Sequence, residues 1–395
     1  MSALLARLEA LTDFLTRHET LWRHRPFVQL PAPWEAERPA LSAWLRGLSP
    51  EVVEAHAASP EAAPGAPASL VALASSAREL SALPRLVSAP LPGPQPRRVP
   101  GRKWTQVAAF GGFAVPRLGG AAGLTDWCAG VGHLGRALSG VTGLPLVALE
   151  RQASLCATGE AEAARAGVSA RFFPVDVLRE PLPDGALGPG RSLVALHACG
   201  DLTSGALAAA VSAGARSVMA APCCYHTVQG ERYVPLSRAG AARNLTLNRK
   251  MLWLPCAEEV TGTAARRRLR RREMVYRAAL NTMVASEGYL SFRAVPPAWV
   301  IGDFEGFARA VAEREGLTLM SRDFAGGEAA GRAHVRAASA LALVRALFRR
   351  PLEVWLALER ALFLAEAGWS VSLGTFCERS ITPRNIAIVG NRRVA

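Results

Sequence analysis

Apolar residues recur at helical spacing along the first 83 residues of the chain. The first segment places five leucines, between Leu4 and Leu15, on one helix face, and further apolar and polar segments follow. Residues 84–100 are rich in proline, which cannot form a regular element, so this stretch predicts a stiff linker. The pattern therefore predicts a helical N-terminal region over residues 1–83 and a second domain from residue 101.

From residue 101, short apolar runs alternate with helical segments. The predicted strands are 124–129, 146–150, 170–177, 192–197 and 216–221, and the predicted helices are 104–110, 133–141, 152–166 and 204–213. This alternation indicates parallel strands joined by right-handed crossovers. Because ligands in such sheets bind beyond the carboxyl ends of the strands, the polar residues at those ends are the candidate site residues.

The first strand runs into a glycine turn, with the sequence D-W-C-A-G-V-G-H-L-G over residues 126–135. Gly130 and Gly132 lack a Cβ, so the backbone can bend sharply and present its N–H groups to a cofactor. With Gly135 they also satisfy the dinucleotide pattern G-x-G-x-x-G, and Glu150 follows about 20 residues later. The turn alone therefore leaves NAD and S-adenosylmethionine (SAM) both open.

The C-terminal segment favours SAM. Residues 369–378 and 385–390 predict two strands around the turn Ser-Ile-Thr-Pro-Arg. An antiparallel hairpin after five alternating strands is the order of the class I methyltransferase sheet, and a dehydrogenase would not predict it. The predicted fold is thus α/β, a Rossmann-like seven-stranded sheet in a domain over residues 101–395, with a helical insertion at about 226–368.

Several residues around the turn are candidates for binding SAM. Asp126 can meet the cationic methionine end, although Cys128 stands where the usual SAM turn has a glycine. Glu150 is expected to bind ribose hydroxyls. Asp176 is expected to accept a hydrogen bond from the adenine amino group, or else to cap a turn. The predicted cofactor-binding residues are Asp126, Cys128, Ala129, Gly130, Gly132, His133, Glu150, Asp176, Val177 and His197.

Two strands end in sequences that carry chemically active side chains, L-H-A-C-G-D at 196–201 and P-C-C-Y-H at 222–226. Neighbouring strand ends would bring these side chains into one pocket, and packed core residues are the alternative. The candidate catalytic residues are His197, Asp201, Cys223 and His226.

Two other chemistries are open at these strand ends. Cys223 as a thiolate could add to a pyrimidine before methylation at carbon 5. His197, Cys199, Cys223, Cys224 and His226 could instead surround zinc or iron. Their spacing matches no standard zinc finger, so the sequence favours a site without metal.

The formal net charge is +14 over 395 residues, but the arginine, alanine, glycine and proline bias can reflect a GC-rich genome. The placement of charge is therefore better evidence than its total. Six arginines lie between residues 266 and 272, in a helix predicted over 257–286 with Pro255 near its start and Glu258 and Glu259 in its first turn. They favour phosphate or RNA binding over a merely solvated helix. The predicted substrate-binding residues are Tyr225, Arg266, Arg267, Arg270 and Arg271.

Hydropathy and cysteine usage predict the compartment. The chain has no apolar run of about 18 residues and no basic-then-apolar N-terminal pattern, which predicts a cytoplasmic protein without a membrane partner. Seven cysteines without framework spacing predict free thiols and no disulfide-linked partner.

The motifs D-W-C-A-G-V-G-H-L-G, L-H-A-C-G-D-L, P-C-C-Y-H and T-P-R-N together resemble the methyltransferase-like protein 25 family, over about residues 101–395. The shorter pieces H-x-C-G and C-C-x-H are similar to the tRNA acceptor-stem ribose 2′-O-methyltransferases. This chain lacks the zinc-binding cysteine and histidine cluster expected at the start of those tRNA enzymes. The resemblance implies a SAM-dependent fold and leaves the substrate open.

The residue types at the strand ends favour a hydroxyl acceptor. His197 occupies the position at which amino-methylating enzymes present Asn-Pro-Pro-Tyr, and that tetrapeptide is absent. A ribose 2′-OH of RNA could lose its proton to His197 or His226, with Asp201 orienting a histidine. The alternatives are a cysteine-dependent pyrimidine C5 methyltransferase, a protein or small-molecule methyltransferase, and a non-catalytic RNA-binding factor.

Overall fold

The computed structural model describes residues 1–92, 99–243, 245–257, 263–284 and 293–393. The chain forms two compact units, each assembled from separate segments. The first comprises Met1–Thr16, Glu79–Val260 and Arg349–Ala395, and the second comprises Arg17–Arg78 and Thr261–Phe348. These units divide the chain at other points than the predicted domain boundaries, which stay a prediction.

The first unit contains one seven-stranded sheet. Its strands are β1 (Gly123–Trp127), β2 (Leu146–Glu150), β3 (Ala170–Pro174), β4 (Arg191–Cys199), β5 (Ser217–Cys223), β6 (Ser370–Thr375) and β7 (Ile386–Asn391). Their spatial order is β3-β2-β1-β4-β5-β7-β6. Strands β1 to β5 are parallel, while β7 pairs antiparallel with both β5 and β6. The predicted Rossmann-like methyltransferase sheet with its C-terminal antiparallel hairpin is therefore confirmed.

Helices form most of the remaining described chain. They are α1 (Ser2–Arg17), α2 (Glu19–Arg23), α3 (Pro39–Gly47), α4 (Pro50–Ala55), α5 (Ala68–Ser81), α6 (Gly101–Ala114), α7 (His133–Thr142), α8 (Ala153–Arg165), α9 (Asp201–Ser212), α10 (Arg238–Ala241), α11 (Ala264–Met283), α12 (Pro297–Ile301), α13 (Phe304–Glu315), α14 (Phe324–Ala346) and α15 (Arg349–Glu366). None of these described helices is both long and apolar enough to cross a membrane.

Burial in the core of the first unit explains why the strand sequences are continuous runs of apolar residues. All residues of β1 and β5 are buried, because helices cover the sheet, and such strands cannot alternate apolar with polar residues. Helix α15 packs against β6 and β7 and is buried from Pro351 to Leu362. Strands β4 and β5 extend two residues beyond their predicted ends, and the extensions carry Cys199 and Cys223 into the sheet.

The described part of the proline-rich linker covers one edge of the sheet. Leu86 N donates to Thr375 O, and Thr375 N donates to Pro84 O, both at 2.9 Å. These bonds satisfy backbone groups of edge strand β6 that would otherwise be open to pairing with another chain. The linker thus contributes one bridge to the sheet, where the sequence predicted no regular pairing.

The second unit has its own apolar core and a shorter arginine helix than predicted. Tyr276, Leu280, Phe304 and Phe307 are buried together between α11 and α13. Helix α11 begins at Ala264, because the Thr263 side chain accepts a hydrogen bond from the N–H of Arg266 and caps the helix. The predicted start near residue 257 is therefore wrong: Pro255 belongs to a separate 3₁₀ turn, Met251–Cys256. Glu258 and Glu259 lie outside the described residues.

Candidate active site

Three backbone positions at the carboxyl ends of neighbouring strands carry conformational strain. Cys128 follows β1, His197 lies near the end of β4 and Cys224 follows β5, with φ angles of +58°, +62° and +43°. Among the described residues, these are the non-glycine residues with positive φ. Each such conformation costs about 1–3 kcal/mol and persists only where the surrounding structure holds it. The strain lies at the edge of the sheet where ligands bind in folds of this type.

The glycine turn after β1 has the geometry predicted from the sequence. Gly130 and Gly132 have φ angles of +59° and +70°, and Gly132 N donates to Ala129 O at 2.8 Å. A Cβ on Gly132 would lie 2.6 Å from the Phe172 ring, whereas a Cβ on Gly130 would have no heavy atom within 4 Å. The backbone of Gly130 therefore faces open space through which a cofactor can approach.

Replacing Gly132 by alanine should destabilise the fold more than the same change at Gly143. The two glycines have φ angles of +70° and +71°, so both substitutions strain the backbone. Only the Cβ at position 132 would also meet another side chain, since a Cβ at Gly143 has nothing within 4 Å. We expect a cost of about 1–2 kcal/mol for Gly143→Ala and about 2–4 kcal/mol for Gly132→Ala. Thermal unfolding measures both, and equal losses would contradict the steric argument.

The Asp126 side chain forms a hydrogen bond within the glycine turn. Its side chain is 3% exposed, and its Oδ2 accepts a hydrogen bond from Gly135 N at 2.8 Å. Burial raises the pKa of Asp126 to about 7, although the Gly135 bond and the charge of Lys103 act in the opposite direction. The predicted contact between this carboxylate and a cationic cofactor is thus corrected, because the carboxylate is enclosed and stabilises the start of α7.

Glu150 and Asp176 follow the two strands beyond β1. Glu150 Oε2 accepts from Gly130 N at 3.0 Å, and its Oε1 accepts from Gln152 N at 2.9 Å. These two bonds hold a partly exposed carboxylate beside the turn, where the ribose contact is predicted. Asp176 Oδ1 accepts from Leu178 N at 3.2 Å, which is the turn cap considered as its alternative role. The adenine contact of Asp176 stays a prediction.

The other predicted cofactor residues also lie along these strand ends. Ala129 and Val177 are partly buried, and Ala129 N donates to Leu149 O at 2.9 Å. Burial, reinforced by nearby carboxylates, raises the pKa of the Cys128 thiol to about 12, so this thiol is not a nucleophile. Burial and nearby cations lower the pKa of His133 to about 4, so its ring is neutral at pH 7.

His197 lies in an irregular part of β4 and is held by a residue of α6. The register between β4 and β5 shifts between Leu196 and Cys199, and such bulges re-aim side chains. His197 Nε2 lies 2.9 Å from Gln106 Oε1, while the Gln106 amide nitrogen donates to Ile381 O at 3.3 Å. This second bond turns Oε1 towards the ring, so Nε2 carries the hydrogen and Nδ1 is the acceptor. Burial lowers the pKa of His197, which keeps the ring neutral at pH 7.

Sequence reasoning missed three polar residues that act on this site. Lys103 and Gln106 lie one turn apart on α6, and the charge of Lys103 acts on His197. Arg384 lies between β6 and β7, and its guanidinium acts electrostatically on His197 and His226. The sequence contains a feature that marks two of these residues: Lys103 is one of two lysines in the chain, and Arg384 belongs to the T-P-R-N motif.

Asp201 does not orient a histidine in this structure. Its Oδ2 accepts from Gln229 N at 2.8 Å, and its own N–H donates to Thr227 O at 3.2 Å. The carboxylate therefore holds the loop that follows β5. This arrangement contradicts the predicted orienting role, because the acceptor oxygen is directed to a backbone N–H.

Cys199, Cys223 and Cys224 form a cluster of three thiols, which we call the sulfur triangle. Their Sγ atoms lie within 4.8 Å of one another, and all seven cysteines of the chain are free in the structure. Hydrogen bonds with Cys199 and Cys224, together with burial, raise the pKa of Cys223, while hydrogen bonds from Cys199 and Cys223 lower that of Cys224. Cys223 is 3% exposed, and its role as the attacking group stays a prediction.

His226 lies under an exposed aromatic ring. Its imidazole stacks on Trp253 with 3.5 Å between ring centroids and 19° between planes, and Trp253 is 55% exposed. Arg249 Nε donates to the carbonyl of His226 at 3.3 Å, and Lys250 is exposed next to it in the chain. The strand end therefore presents a flat indole with cationic residues beside it.

Tyr225 lies inside the protein. It is fully buried, and the guanidinium carbon of Arg360 lies 4.9 Å from the centroid of its ring. Arg360 is itself buried and donates to Gly200 O at 3.4 Å. The predicted substrate contact of Tyr225 is thus contradicted, because its side chain supports the strand ends from within the core.

The predicted arginine cluster is exposed on α11, in the second unit. Arg266, Arg267, Arg270 and Arg271 are all exposed, and Arg271 pairs with Glu54 at 3.0 Å. They occupy the first turns of the helix, where the helix dipole is positive and cations are unfavourable. Bound anions would relieve that repulsion.

Comparison with known proteins identifies the class of enzyme. Residues 102–231, from α6 to the loop after β5, match a family model described as a methyltransferase domain. The chain contains a methyltransferase domain and is a methyltransferase. A comparison with curated proteins finds no match. The matched methyltransferase domain includes the glycine turn, Glu150, His197 and the sulfur triangle, whereas Trp253, Arg384 and the arginine cluster lie beyond it.

Proposed function

We propose that the methyltransferase domain binds SAM across the carboxyl ends of β1, β2 and β3. Gly130 would face the cofactor, since a Cβ there meets no atom within 4 Å. The Glu150 carboxylate, already oriented by two backbone N–H groups, would accept hydrogen bonds from the ribose hydroxyls. Asp176 would lie at the adenine end. Asp126 would contribute to SAM binding indirectly, by stabilising the glycine turn through its hydrogen bond with Gly135 N.

We further propose that the methyl group goes to a hydroxyl of RNA, such as a ribose 2′-OH. The observation that carries this step is the bond between His197 and Gln106, which leaves Nδ1 of a neutral imidazole as the acceptor. Attack of an oxygen on the sulfonium methyl carbon releases the hydroxyl proton, and a neutral histidine at the strand end can accept it. SAM, when bound, would supply the methyl group and leave as the neutral thioether.

Two surfaces support RNA as the substrate. The exposed indole of Trp253, stacked on His226, provides a face on which a base can stack, a contact worth about 1–3 kcal/mol. The exposed arginines of α11 provide phosphate contacts. The four sequence motifs that resemble the methyltransferase-like protein 25 family, among them the T-P-R-N turn that carries Arg384, support placing the protein with that family.

Incubation of the protein with tritiated SAM and separate RNA, protein and metabolite fractions tests the substrate class. We expect label in RNA, in dinucleotides that resist alkaline hydrolysis, because a methylated 2′-oxygen cannot attack the neighbouring phosphate. Label at carbon 5 of a pyrimidine would instead favour the cysteine-dependent reaction. Label in protein or metabolites would overturn the RNA proposal, and SAM-independent RNA binding alone would favour a non-catalytic factor.

Removing two arginines from one face of α11 should weaken RNA binding. We expect Arg266→Ala with Arg270→Ala to lower affinity about tenfold and to reduce the salt slope by about 1.4, as for two lost single-strand phosphate contacts. The matched control is Arg309→Ala with Arg332→Ala, two exposed arginines of the same unit that pair with Glu305 and Glu328. Equal behaviour of the two double variants in salt-dependent binding assays would contradict this role.

A further inference from the structure

The sulfur triangle has the dimensions of a metal-ligand set. Zinc binds thiolates at about 2.3 Å, so two sulfurs of a tetrahedral site lie about 3.8 Å apart. Here Cys199 Sγ and Cys223 Sγ lie 3.4 Å apart, and all three sulfurs lie within 4.8 Å of one another. A disulfide would need about 2.05 Å. We infer that Cys199, Cys223 and Cys224 bind one zinc ion.

The backbone places these ligands before any ion arrives. Cys199 and Cys223 are paired across β4 and β5, and Gly200 N donates to Cys223 O at 3.0 Å. Cys224 is held at a φ of +43°, with Thr227 N donating to its carbonyl at 2.8 Å. The strained backbone of Cys224 is explained if its side chain must reach the same ion as the side chains of Cys199 and Cys223.

Charge and the surrounding groups also fit zinc. Three thiols lose three protons to solvent on binding, so three thiolates around Zn²⁺ carry a net charge of −1, and the guanidinium of Arg384 acts on Cys224. An iron–sulfur cluster would space its cysteines around several metal atoms, farther apart than a single ion does. Three protein ligands leave a fourth position of a tetrahedral zinc site for water.

The metal content of the full chain tests the site. After purification with a phosphine reductant, zinc loading and dialysis, we expect about one zinc per chain by mass spectrometry. Cys224→Ser should lose most of it, and so should Cys199→Ser. The matched control is Cys377→Ser, a buried free cysteine outside the triangle, which should retain the zinc. Equal zinc in the wild type, Cys199→Ser and Cys224→Ser would overturn the inference.

Cobalt titration of the unmodified chain avoids variants that fail to fold. One equivalent of Co²⁺ should produce an intense sulfur-to-cobalt charge-transfer band in the near ultraviolet and tetrahedral visible bands. Absence of the band in fully reduced protein, or a disulfide between Cys199 and Cys223 in its place, would overturn the site. Neither outcome depends on methyl transfer, so failure of this inference is distinguishable from failure of the proposed function.

Discussion

Replacing His197 by asparagine should lower kcat by about 10²–10⁴-fold, the usual contribution of a general base. Asparagine tolerates positive φ better than most residues, so the variant keeps the backbone at +62° while removing the group that takes the proton. SAM affinity should stay close to that of the wild type. Steady-state kinetics with RNA and calorimetry with SAM measure the two quantities.

Gln106 provides the control that separates catalysis from packing. Gln106→Leu removes the acceptor for His197 Nε2 and should lower kcat about tenfold with little change in KM, because it acts by positioning the ring. Gln106→Glu retains an acceptor oxygen and should restore much of the rate. An unchanged kcat for His197→Asn would eliminate the histidine base and leave the methyltransferase class intact.

Replacing Glu150 by alanine should weaken SAM binding by about 100-fold. A carboxylate that accepts two ribose hydroxyls contributes about 1.5–3 kcal/mol for each charge-assisted bond, and about 1.4 kcal/mol corresponds to a factor of ten. Glu150→Gln keeps an acceptor but loses the charge, so its affinity for SAM should lie between those of the wild type and of Glu150→Ala. Calorimetric titration with SAM gives the dissociation constants.

Glu160→Ala is the matched control for Glu150, since Glu160 is an exposed carboxylate on the following helix. It should bind SAM like the wild type. In Glu150→Ala, the N–H groups of Gly130 and Gln152 lose their acceptor. Melting temperatures are therefore measured as well, and a loss of SAM affinity is assigned to the ribose contact only in variants that melt like the wild type. If Glu150→Ala bound SAM normally, the ribose site would have to lie elsewhere along the strand ends.

The sheet was predictable because its signals are local. Strands buried on both faces read as short apolar runs, and the turn needs glycine where φ is positive, so β1, the turn and β2 could be placed from the sequence. The start of α11 was not predicted correctly, because Thr263 caps the helix while Pro255 and the acidic residues upstream looked like an equally good start. The residue at which a helix begins depends on which of several nearby capping residues stabilises its first turn.

The site was only partly predictable because its contacts join distant segments. Gln106 reaches His197 across 91 positions, and nothing in the local sequence of either residue indicates the pairing. The burial of Tyr225 depends on Arg360 from α15, and the Asp201 carboxylate turns to Gln229 in a loop whose path the sequence does not reveal.

The sequence by itself determined the class of sheet, the glycine turn and the set of polar residues at the strand ends, because hydrophobic period and backbone freedom act over a few residues. Only the tertiary structure decided which of those residues meet. It enclosed Asp126 and Tyr225, gave His197 a partner on α6, and brought three cysteines from two strand ends within 4.8 Å. Side-chain contacts of this kind depend on the register of neighbouring strands, which packing of the whole domain fixes.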